Sequence, residues 1–362
     1  FFFQVRKHGL IHYQTKLLQY HLVFHIHQSK VSFHIENIEP NKTIEIPFGS
    51  NSEEIALILI NEGLLENKIF YKFETFIRGK SFSPKAGEYL IPENSNLKNI
   101  LDIFHQGQSI HHRITFPECW KNNQILKKIN ENKFLSGEIQ NIEYIEGTLL
   151  PETYFFVKDF SKNKLLIKMK NSMDSFLTEL WDKRSSKLPF KNKFEALIIA
   201  SMIESETSSE SEKKIISSVF FNRINKNMKL QSDPTVIYGY EKVMKEKIEK
   251  LTRKHLKIDH EWNTYTRKGL PETPICNPGK SSIIAAFNPF ETNYFYFVSD
   301  GMGGHFFSKS LSDHIENIKY VKKLKQDISL KRRIRDEKKL ELLLPLTKPK
   351  DLQERRENYD KN

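Results

Sequence analysis

The stretch IEIPFGSNSEEIALILINEG, residues 44–63, contains two different hydrophobic periods. It begins with the apolar–polar alternation of a short β-strand, continues through a proline and a run of polar turn residues, and then carries apolar residues at helical spacing. Gly63 follows the last apolar turn, where a helix commonly ends. The stretch therefore predicts a strand, a turn and an amphipathic helix.

Two later stretches repeat this pattern in the same phase: EYLIPENSNLKNILDIFHQG at residues 88–107 and RITFPECWKNNQILKKINEN at residues 113–132. Counted from the proline of each stretch, the eighth and twelfth residues are apolar and lie one helical turn apart. These pairs are Ile55 with Leu59, Ile100 with Phe104, and Ile125 with Ile129. We therefore predict repeated strand–helix units that form one or two small α/β modules over residues 41–140.

The remaining chain is predicted to contain one further large domain between two less regular ends. Apolar residues recur at helical spacing from Leu165 to Leu180, which predicts an amphipathic helix. Residues 326–362 are dense in both charge signs and predict a partly helical, solvated tail. Residues 1–40 form a leader of uncertain status; its histidines, including His25 and His27, allow a metal site, but a disordered or spurious leader is favoured.

The composition limits the classes of partner. The chain has 362 residues and a formal net charge of +12, which favours an anionic partner such as nucleic acid, an acidic membrane surface or a cell-wall polymer. A basic surface with no dedicated partner is the alternative. Cys119 and Cys276 occur in no CxxC or Cys/His pattern, so zinc binding and a disulfide framework are not expected. Free buried thiols are favoured, and pairing of the two cysteines, if they lie close in space, is the alternative. No run reaches the roughly 20 apolar residues that span a bilayer.

A carboxylate interrupts an apolar helix in IIASMIESETSSESEKK, residues 198–214. Leu197, Ser201 and Glu204 recur at intervals of four and three on one face, whereas Glu206 lies about 200° further around. Glu204 is therefore predicted to face the interior or a cleft, where apolar neighbours would raise its pKa and make it a candidate general acid. The alternatives are a Glu paired with Lys or Arg and an exposed Glu. Ser209 is predicted to begin the next helix.

Six ordered strings surround this carboxylate: EGTLLPETY from Glu146, ASMIESET from Ala200, VFFNRI from Val219, MKLQSDPTVIYGY from Met228, NTYTRKGLPETPICNPG from Asn263, and YFYFVSDGMGGHFFSKSLSDH from Tyr294. Together with the stretches at residues 44–56 and 86–92, they resemble the MltG (YceG-like) family of endolytic murein transglycosylases. The resemblance covers residues 43–322. It departs from the family pattern at Glu272 and Thr273, where Pro-Gly is common.

The resemblance implies an α+β fold, with LysM-like strand–helix modules at residues 41–140 and a mixed α/β transglycosylase domain at residues 141–325. It also implies a lyase that cleaves nascent peptidoglycan between N-acetylmuramic acid and N-acetylglucosamine. The product would carry a 1,6-anhydro-N-acetylmuramic acid end, and cleavage would terminate strand elongation. Glu204 matches the catalytic Glu of the family, as the first of the two in ESET. It would serve as acid and then as base, without a cofactor or a metal.

The remaining candidate residues are expected to line the cleft and bind substrate: Gln231, Asp233, Asn263, Thr264, Tyr265 and His305. The Asp-Pro-Thr order also predicts that Asp233 is a helix N-cap, so a sugar contact and a capping role stay open for it. Tyr265 would stack on a sugar ring. His305 follows the turn SDGMGGH, which predicts a β-hairpin, and it would contact substrate or be a hydrogen-bonded strand residue.

The resemblance further implies a single membrane-spanning helix before the modules, which would hold the catalytic domain on the periplasmic side of the cell inner membrane. This chain does not show that helix. Peptidoglycan strands would be the substrate, and peptidoglycan synthases (penicillin-binding proteins) would be possible partners. Three other hypotheses are a muramidase-type hydrolase, a non-catalytic peptidoglycan-binding scaffold and a nucleic-acid binder. No recognised basic–aromatic module supports nucleic-acid binding.

Overall fold

The computed structural model describes residues 42–140 and 144–343. The predictions for the leader, including its histidines, and for the end of the tail lie outside these residues. The chain divides into two compact units. The first runs up to Ile114 and includes the short segments Asn132–Glu138 and Tyr154–Lys162, and the second contains the remaining residues. The predicted modules extended to residue 140, whereas residues 115–131 of that range belong to the second compact unit.

The first unit is built from two of the predicted strand–helix units. Strand β1 (Lys42–Ile46) leads to helix α1 (Ser52–Asn61), helix α2 (Lys68–Arg78) follows, and strand β2 (Gly87–Ile91) leads to helix α3 (Leu97–Gln106). The two strands pair antiparallel, with Ile44 opposite Tyr89. The predicted helix faces are confirmed, because the pairs Ile55/Leu59 and Ile100/Phe104 are buried in one core.

Local capping explains where these helices begin and end. The side chain of Asn51 accepts hydrogen bonds from the backbone N–H groups of Glu53 and Glu54, and Asn96 accepts one from Asn99. Gly107 ends α3 in the left-handed conformation (φ 72°) that glycine adopts without strain. The strand–helix order is thus confirmed; similarity to LysM modules stays a prediction.

The third predicted unit consists of strand β3 (His112–Thr115) and helix α4 (Asn122–Asn130), whose Ile125 and Ile129 are fully buried. Strand β3 pairs with β5 (Thr153–Phe156) and does not join the β1–β2 sheet. Two very short strands, β4 (Leu135–Ser136) and β6 (Phe160–Ser161), pair in parallel.

Helices form most of the second unit. They are α5 (Lys162–Asp182), α6 (Lys193–Glu206), α7 (Glu210–Asn225), α8 (Asp233–Met244), α9 (Lys280–Phe287) and α10 (Leu311–Leu343), with a 3₁₀ turn at His255–Lys257. Helix α6 is apolar on nearly all sides and is the centre of the core, where it packs against α7 and α9. Helix α10 extends into the predicted tail. Among the described residues, no helix is both long and apolar enough to span a bilayer.

The hairpin predicted from SDGMGGH is confirmed. Strands β7 (Tyr296–Ser299) and β8 (His305–Ser308) pair antiparallel. The carboxylate of Asp300 accepts hydrogen bonds from the backbone N–H groups of Met302 (2.7 Å) and Gly304 (3.0 Å), which closes the turn. Together, the helices and small sheets confirm the predicted α+β class.

The prediction of free thiols is wrong, because Cys119 and Cys276 form a disulfide with Cα atoms 4.8 Å apart. Backbone pairing brings the two segments together: Cys119 N–H donates to the carbonyl of Asn277 (2.9 Å), and Asn277 N–H donates to the carbonyl of Trp120 (3.0 Å). A sequence separation of 157 residues concealed this pairing.

Candidate active site

The second unit contains a cavity of about 470 Å³, formed where the end of α6, the start of α8 and the β7–β8 hairpin meet. Nine of its thirteen lining residues are polar or ionisable, and apolar side chains supply the rest of the wall. The lining residues are Glu206, Arg223, Leu230, Gln231, Asp233, Tyr265, Tyr296, Phe297, Val298, Ser299, His305, Leu311 and His314. Its size suits a sugar-sized ligand.

Glu206 is the carboxylic acid that α6 contributes to this cavity. It is the last residue of the helix, because Thr207 is extended (φ −149°) and turns the chain toward α7. The hydroxyl of Ser232 donates a hydrogen bond of 2.5 Å to Oε1 of Glu206. Burial raises the pKa of Glu206 to about 7; the Ser232 hydrogen bond opposes this shift, and the nearby charge of Asp233 adds to it. Glu206 can therefore hold a proton near neutral pH.

Glu204 lies on the other side of the helix and is not among the cavity-lining residues. Its Oε1 is 3.1 Å from Nζ of Lys213, and its Oε2 accepts a hydrogen bond of 2.8 Å from the backbone N–H of Gly279. Only 2% of the Lys213 side chain and 5% of the Glu204 side chain are exposed. The structure thus confirms that Glu204 faces the interior and matches the alternative of a Glu paired with Lys; its catalytic role stays a prediction. The predicted divergence of Glu204 and Glu206 is confirmed.

Four of the predicted substrate-binding residues line the cavity: Gln231, Asp233, Tyr265 and His305. The phenol of Tyr265 donates a hydrogen bond of 2.6 Å to Oδ1 of Asp233, so these two groups form one polar surface. The N-cap of α8 is Ser232, one residue earlier than predicted, and Asp233 is the first helical residue. This shift leaves the Asp233 carboxylate available to the cavity.

The other two predicted residues, Asn263 and Thr264, are buried and do not line the cavity. Asn263 donates from Nδ2 to the carbonyl of Ile258 (2.6 Å) and accepts from the N–H of Tyr265 (2.8 Å). Thr264 Oγ1 accepts a hydrogen bond of 2.9 Å from the N–H of Ser232. These hydrogen bonds correct the predicted sugar contacts: the two residues instead hold the segments that carry Tyr265 and Ser232.

Arg223 gives the cavity a buried positive charge. Its Nε donates to the carbonyl of Phe295 (2.6 Å), and its Nη1 donates to the carbonyl of Leu230 (2.8 Å). Among the described residues, no carboxylate lies within salt-bridge distance of its guanidinium. Desolvation lowers the pKa of Arg223, and desolvation followed by the Arg223 charge lowers the pKa of His314. The wall of the cavity therefore combines one buried cation with the carboxyl groups of Glu206 and Asp233.

Glu206, Ser232 and Tyr296 were not predicted as site residues, and His314, which also lines the cavity, was considered as a substrate contact but a structural role was favoured for it. The one available signal for Glu206 was its position directly before the turn that precedes Ser209. At the end of a helix the backbone leaves the helical path, so the helical period no longer determines which way the last side chain points. The other residues come from segments whose proximity only the tertiary structure shows.

Comparison with known proteins identifies the chain's family. The YceG-like family model matches residues 44–320, so the chain belongs to the YceG-like family. Two relatives are endolytic murein transglycosylases. The one from Bacillus subtilis (strain 168) is 29% identical over 306 residues, which cover 75% of this chain and 82% of the relative. The one from Streptococcus pneumoniae (strain D39) is 25% identical over 320 residues, which cover 76% of this chain and 57% of the relative.

A solved structure of a YceG-like protein from Listeria monocytogenes is also similar, with 28% identity and a TM-score of 0.47. The match covers 77% of this chain and 99% of that one. With the named relatives, family membership identifies the chain as an enzyme.

Proposed function

We propose that this chain is an endolytic peptidoglycan lyase that uses Glu206 as its proton donor. Its substrate is the glycan strand, cleaved between N-acetylmuramic acid and N-acetylglucosamine. The observation that carries the proposal is the Glu206 carboxyl, which lines a sugar-sized cavity and has a pKa of about 7. The names of the related transglycosylases supply the substrate class.

Glu206 would act first as an acid and then as a base. Its proton passes to the glycosidic oxygen as the bond from that oxygen to the anomeric carbon breaks, and positive charge develops on the muramyl ring. The resulting Glu206 carboxylate then accepts the proton of the muramyl 6-hydroxyl, whose oxygen bonds to the anomeric carbon and closes the 1,6-anhydro ring. A pKa near the working pH suits a group that must both give and take a proton.

A muramidase is the second candidate, and Asp233 is the observation that favours it. Its carboxylate lines the same cavity and accepts the hydrogen bond from Tyr265. In a hydrolase, a second carboxylate activates water or forms a glycosyl–enzyme intermediate. The two reactions differ in the product end, which is anhydro-muramic acid for the lyase and a reducing sugar for the hydrolase.

The cellular setting extends the proposal. We place the enzyme on the outer side of the cytoplasmic membrane, beside peptidoglycan synthases, where cleavage would terminate strand elongation. The Cys119–Cys276 disulfide supports this location, because disulfides persist in oxidising compartments. The net charge of +12 suits anionic lipids and wall polymer. Membrane anchorage by a helix preceding the modules is part of this proposal.

The test is mass spectrometry of the products released from purified uncross-linked glycan strands by the full chain and two matched variants. We expect anhydro-muramyl ends from the wild type and from folded Glu204→Gln, and none from Glu206→Gln. Reducing ends from the wild type would instead establish a hydrolase. Loss of cleavage in a folded Glu204→Gln protein, with activity kept in Glu206→Gln, would move the acid to Glu204.

A further inference from the structure

Glu212 holds His305 through both of its carboxylate oxygens. The backbone N–H of His305 donates to Oε1 at 2.8 Å, and the ring Nδ1 lies 2.8 Å from Oε2. Both side chains are largely buried, with 14% of Glu212 and 10% of His305 exposed. The ring of Phe297 packs edge-on against the imidazole, with centroids 5.5 Å apart. His305 is therefore held in one orientation on the wall of the cavity.

The surroundings of Glu212 determine which ring nitrogen carries hydrogen. The carboxylate also accepts a hydrogen bond of 3.3 Å from the hydroxyl of Thr207, so the groups around it are donors. A carboxylate oxygen is a hydrogen-bond acceptor, so the Oε2 atom of Glu212 is suited to accept a further hydrogen bond from Nδ1–H of His305. Within the described part of the chain, no protein group hydrogen-bonds to Nε2. Nε2 is thus the ring atom of His305 that is left for the cavity.

The same carboxylate connects two segments that carry cavity residues. Thr207 directly follows Glu206, and it is joined to Glu212 through its hydroxyl. Gly304 directly precedes His305, and a Cβ atom there would lie 3.1 Å from Oε1 of Glu212 and 2.9 Å from Asp300. The absence of a side chain at Gly304 lets the hairpin approach α7 this closely. Glu212 therefore sets the position of His305 relative to the end of α6.

We infer that Glu212 is a positioning residue for the reaction at Glu206: it fixes the imidazole of His305 on the cavity wall, in the orientation in which the charge of His305 stabilises the carboxylate formed when Glu206 releases its proton. The inference rests on the proposed role of Glu206. The charge of His305 favours the ionised form of Glu206, as does that of Arg223. Glu212 is three residues after the N-cap residue Ser209, where a Glu side chain commonly forms a capping box with the N-cap residue. Here the Ser209 side chain makes no capping hydrogen bond.

Two substitutions of His305 distinguish the roles of its two ring nitrogens. In His305→Asn the amide nitrogen can replace Nδ1 and keep the hydrogen bond to Glu212, but Nε2 is lost. We expect kcat on glycan strands to fall by about 10²-fold with little change in KM, because the charge it stabilises forms only as the proton leaves. A structural role alone would leave His305→Asn close to wild type. In His305→Gln the amide can reach the position of Nε2, and we expect partial recovery of kcat.

Glu212→Gln removes the charge but keeps the shape, and Glu210→Gln is the matched control. Glu210 is in the same first turn of α7, has an exposed side chain and does not line the cavity. We expect Glu212→Gln to lower kcat by about 10- to 100-fold, as for loss of one charge-assisted hydrogen bond, and Glu210→Gln to leave it unchanged. Imidazole ¹⁵N spectra should show protonated Nδ1 at His305 in the wild type and a changed tautomer population in Glu212→Gln.

The outcomes distinguish this inference from the proposed function. If the wild type releases no products, the proposed function fails before the variants are compared. If the wild type cleaves strands and folded Glu212→Gln matches it in kcat, the inference is overturned while the proposed function stands. Unprotonated Nδ1 in the wild type would also overturn it. A fall in kcat with unchanged KM, together with the altered ¹⁵N spectrum, would support it.

Discussion

At the scale of single residues, two glutamates of similar sequence context acquire different chemistry from their surroundings. Glu204 is paired with a buried cation, whereas Glu206 shares its cavity wall with a hydroxyl donor and with Asp233. Burial raises the pKa of Glu206 to about 7, so this carboxyl can hold a proton near neutral pH. The proposed proton donor is thus the glutamate that forms no salt bridge among the described residues, and the charges of His305 and Arg223 act on it from the cavity wall.

The pKa of Glu206 predicts how activity depends on pH. The acid must be protonated to start the reaction, and its pKa is about 7. We therefore expect kcat/KM to be constant on the acid side of this value and to fall tenfold per pH unit above it. Initial rates of product release between pH 5.5 and 9 would measure this. A constant rate up to pH 9 would contradict the assignment.

The same pKa predicts a pH-dependent effect on stability. The ordinary value is 4.5, so the folded chain binds the Glu206 proton more tightly than the unfolded chain. Stability from this group is complete below pH 4.5 and is lost as pH rises through 7. Glu206→Gln should therefore gain stability over the wild type by about 2 kcal/mol at pH 8, and far less at pH 4.5.

Urea unfolding of both proteins at several pH values measures this difference, and Glu291→Gln at an exposed site is the control. The expected difference in stability is smaller than the full pKa shift would give, because Glu206 lines the cavity, where solvent has access. A difference that stays the same from pH 4.5 to 8 would show that the stability effect of Glu206→Gln does not arise from its proton.

At the scale of elements, the sequence pattern predicted the repeated units because each rests on local rules. A proline, a polar cap and an apolar pair one turn apart determine a strand–helix unit within about 20 residues, and Ile55 and Ile100 are buried as that rule requires. The core-facing side of α6 was predicted in the same way. The hydrophobic period did not predict the cavity, because it does not show that the hairpin returns to the end of α6. The predicted residues that do line it were found through the family resemblance.

Lys213 joins three helices and provides a test of the role assigned to Glu204. Its Nζ lies 3.1 Å from Glu204 on α6 and 2.6 Å from the Ser281 hydroxyl on α9, while Lys213 itself is on α7. Lys213→Met should lower the free energy of unfolding by about 3 kcal/mol, because it leaves Glu204 buried without its cation. Adding Glu204→Gln should recover part of this loss.

A double-mutant cycle by urea unfolding measures that recovery as a coupling energy. Lys183→Met is the matched control, since Lys183 forms an exposed pair with Glu179 on α5. Additive effects of the two substitutions would contradict the buried-pair role of Glu204, and the reason for its position would then have to lie elsewhere.

Gly239 lies on helix α8 at a position where neighbouring side chains leave no room for a larger residue. A Cβ atom at this position would lie 2.3 Å from Cε1 of His260 and 2.7 Å from Cβ of Trp262. Gly239→Ala should therefore destabilise the chain by about 1–3 kcal/mol, the usual cost of overpacking. Adding His260→Ala should relieve part of this cost, and thermal unfolding of the single and double variants measures it. Equal stability of Gly239→Ala and wild type would contradict the packing.

At the scale of the whole chain, the disulfide is a covalent link between two segments that are far apart in the sequence. It joins residues separated by 157 positions, and the residue before Cys276 is fixed to α6, because Ile275 N–H donates to the Ser201 hydroxyl at 3.1 Å. Sequence spacing could not predict it, since the pairing depends on backbone hydrogen bonds between distant segments. It also bears on where the protein works, because cytosolic thiols are kept reduced.

Loss of this disulfide should destabilise the chain without removing any residue of the cavity. Replacing both cysteines, as Cys119→Ser with Cys276→Ser, should lower the free energy of unfolding by about 2–5 kcal/mol, because the link restricts the unfolded chain over a long loop. Urea unfolding of the wild type and the double variant, each with and without a phosphine reductant, measures the effect. The reductant should bring the wild type to the stability of the double variant and leave the double variant unchanged. If the wild type is equally stable with both thiols shown to be reduced, the disulfide does not stabilise the fold, and its support for an oxidising location is lost with it.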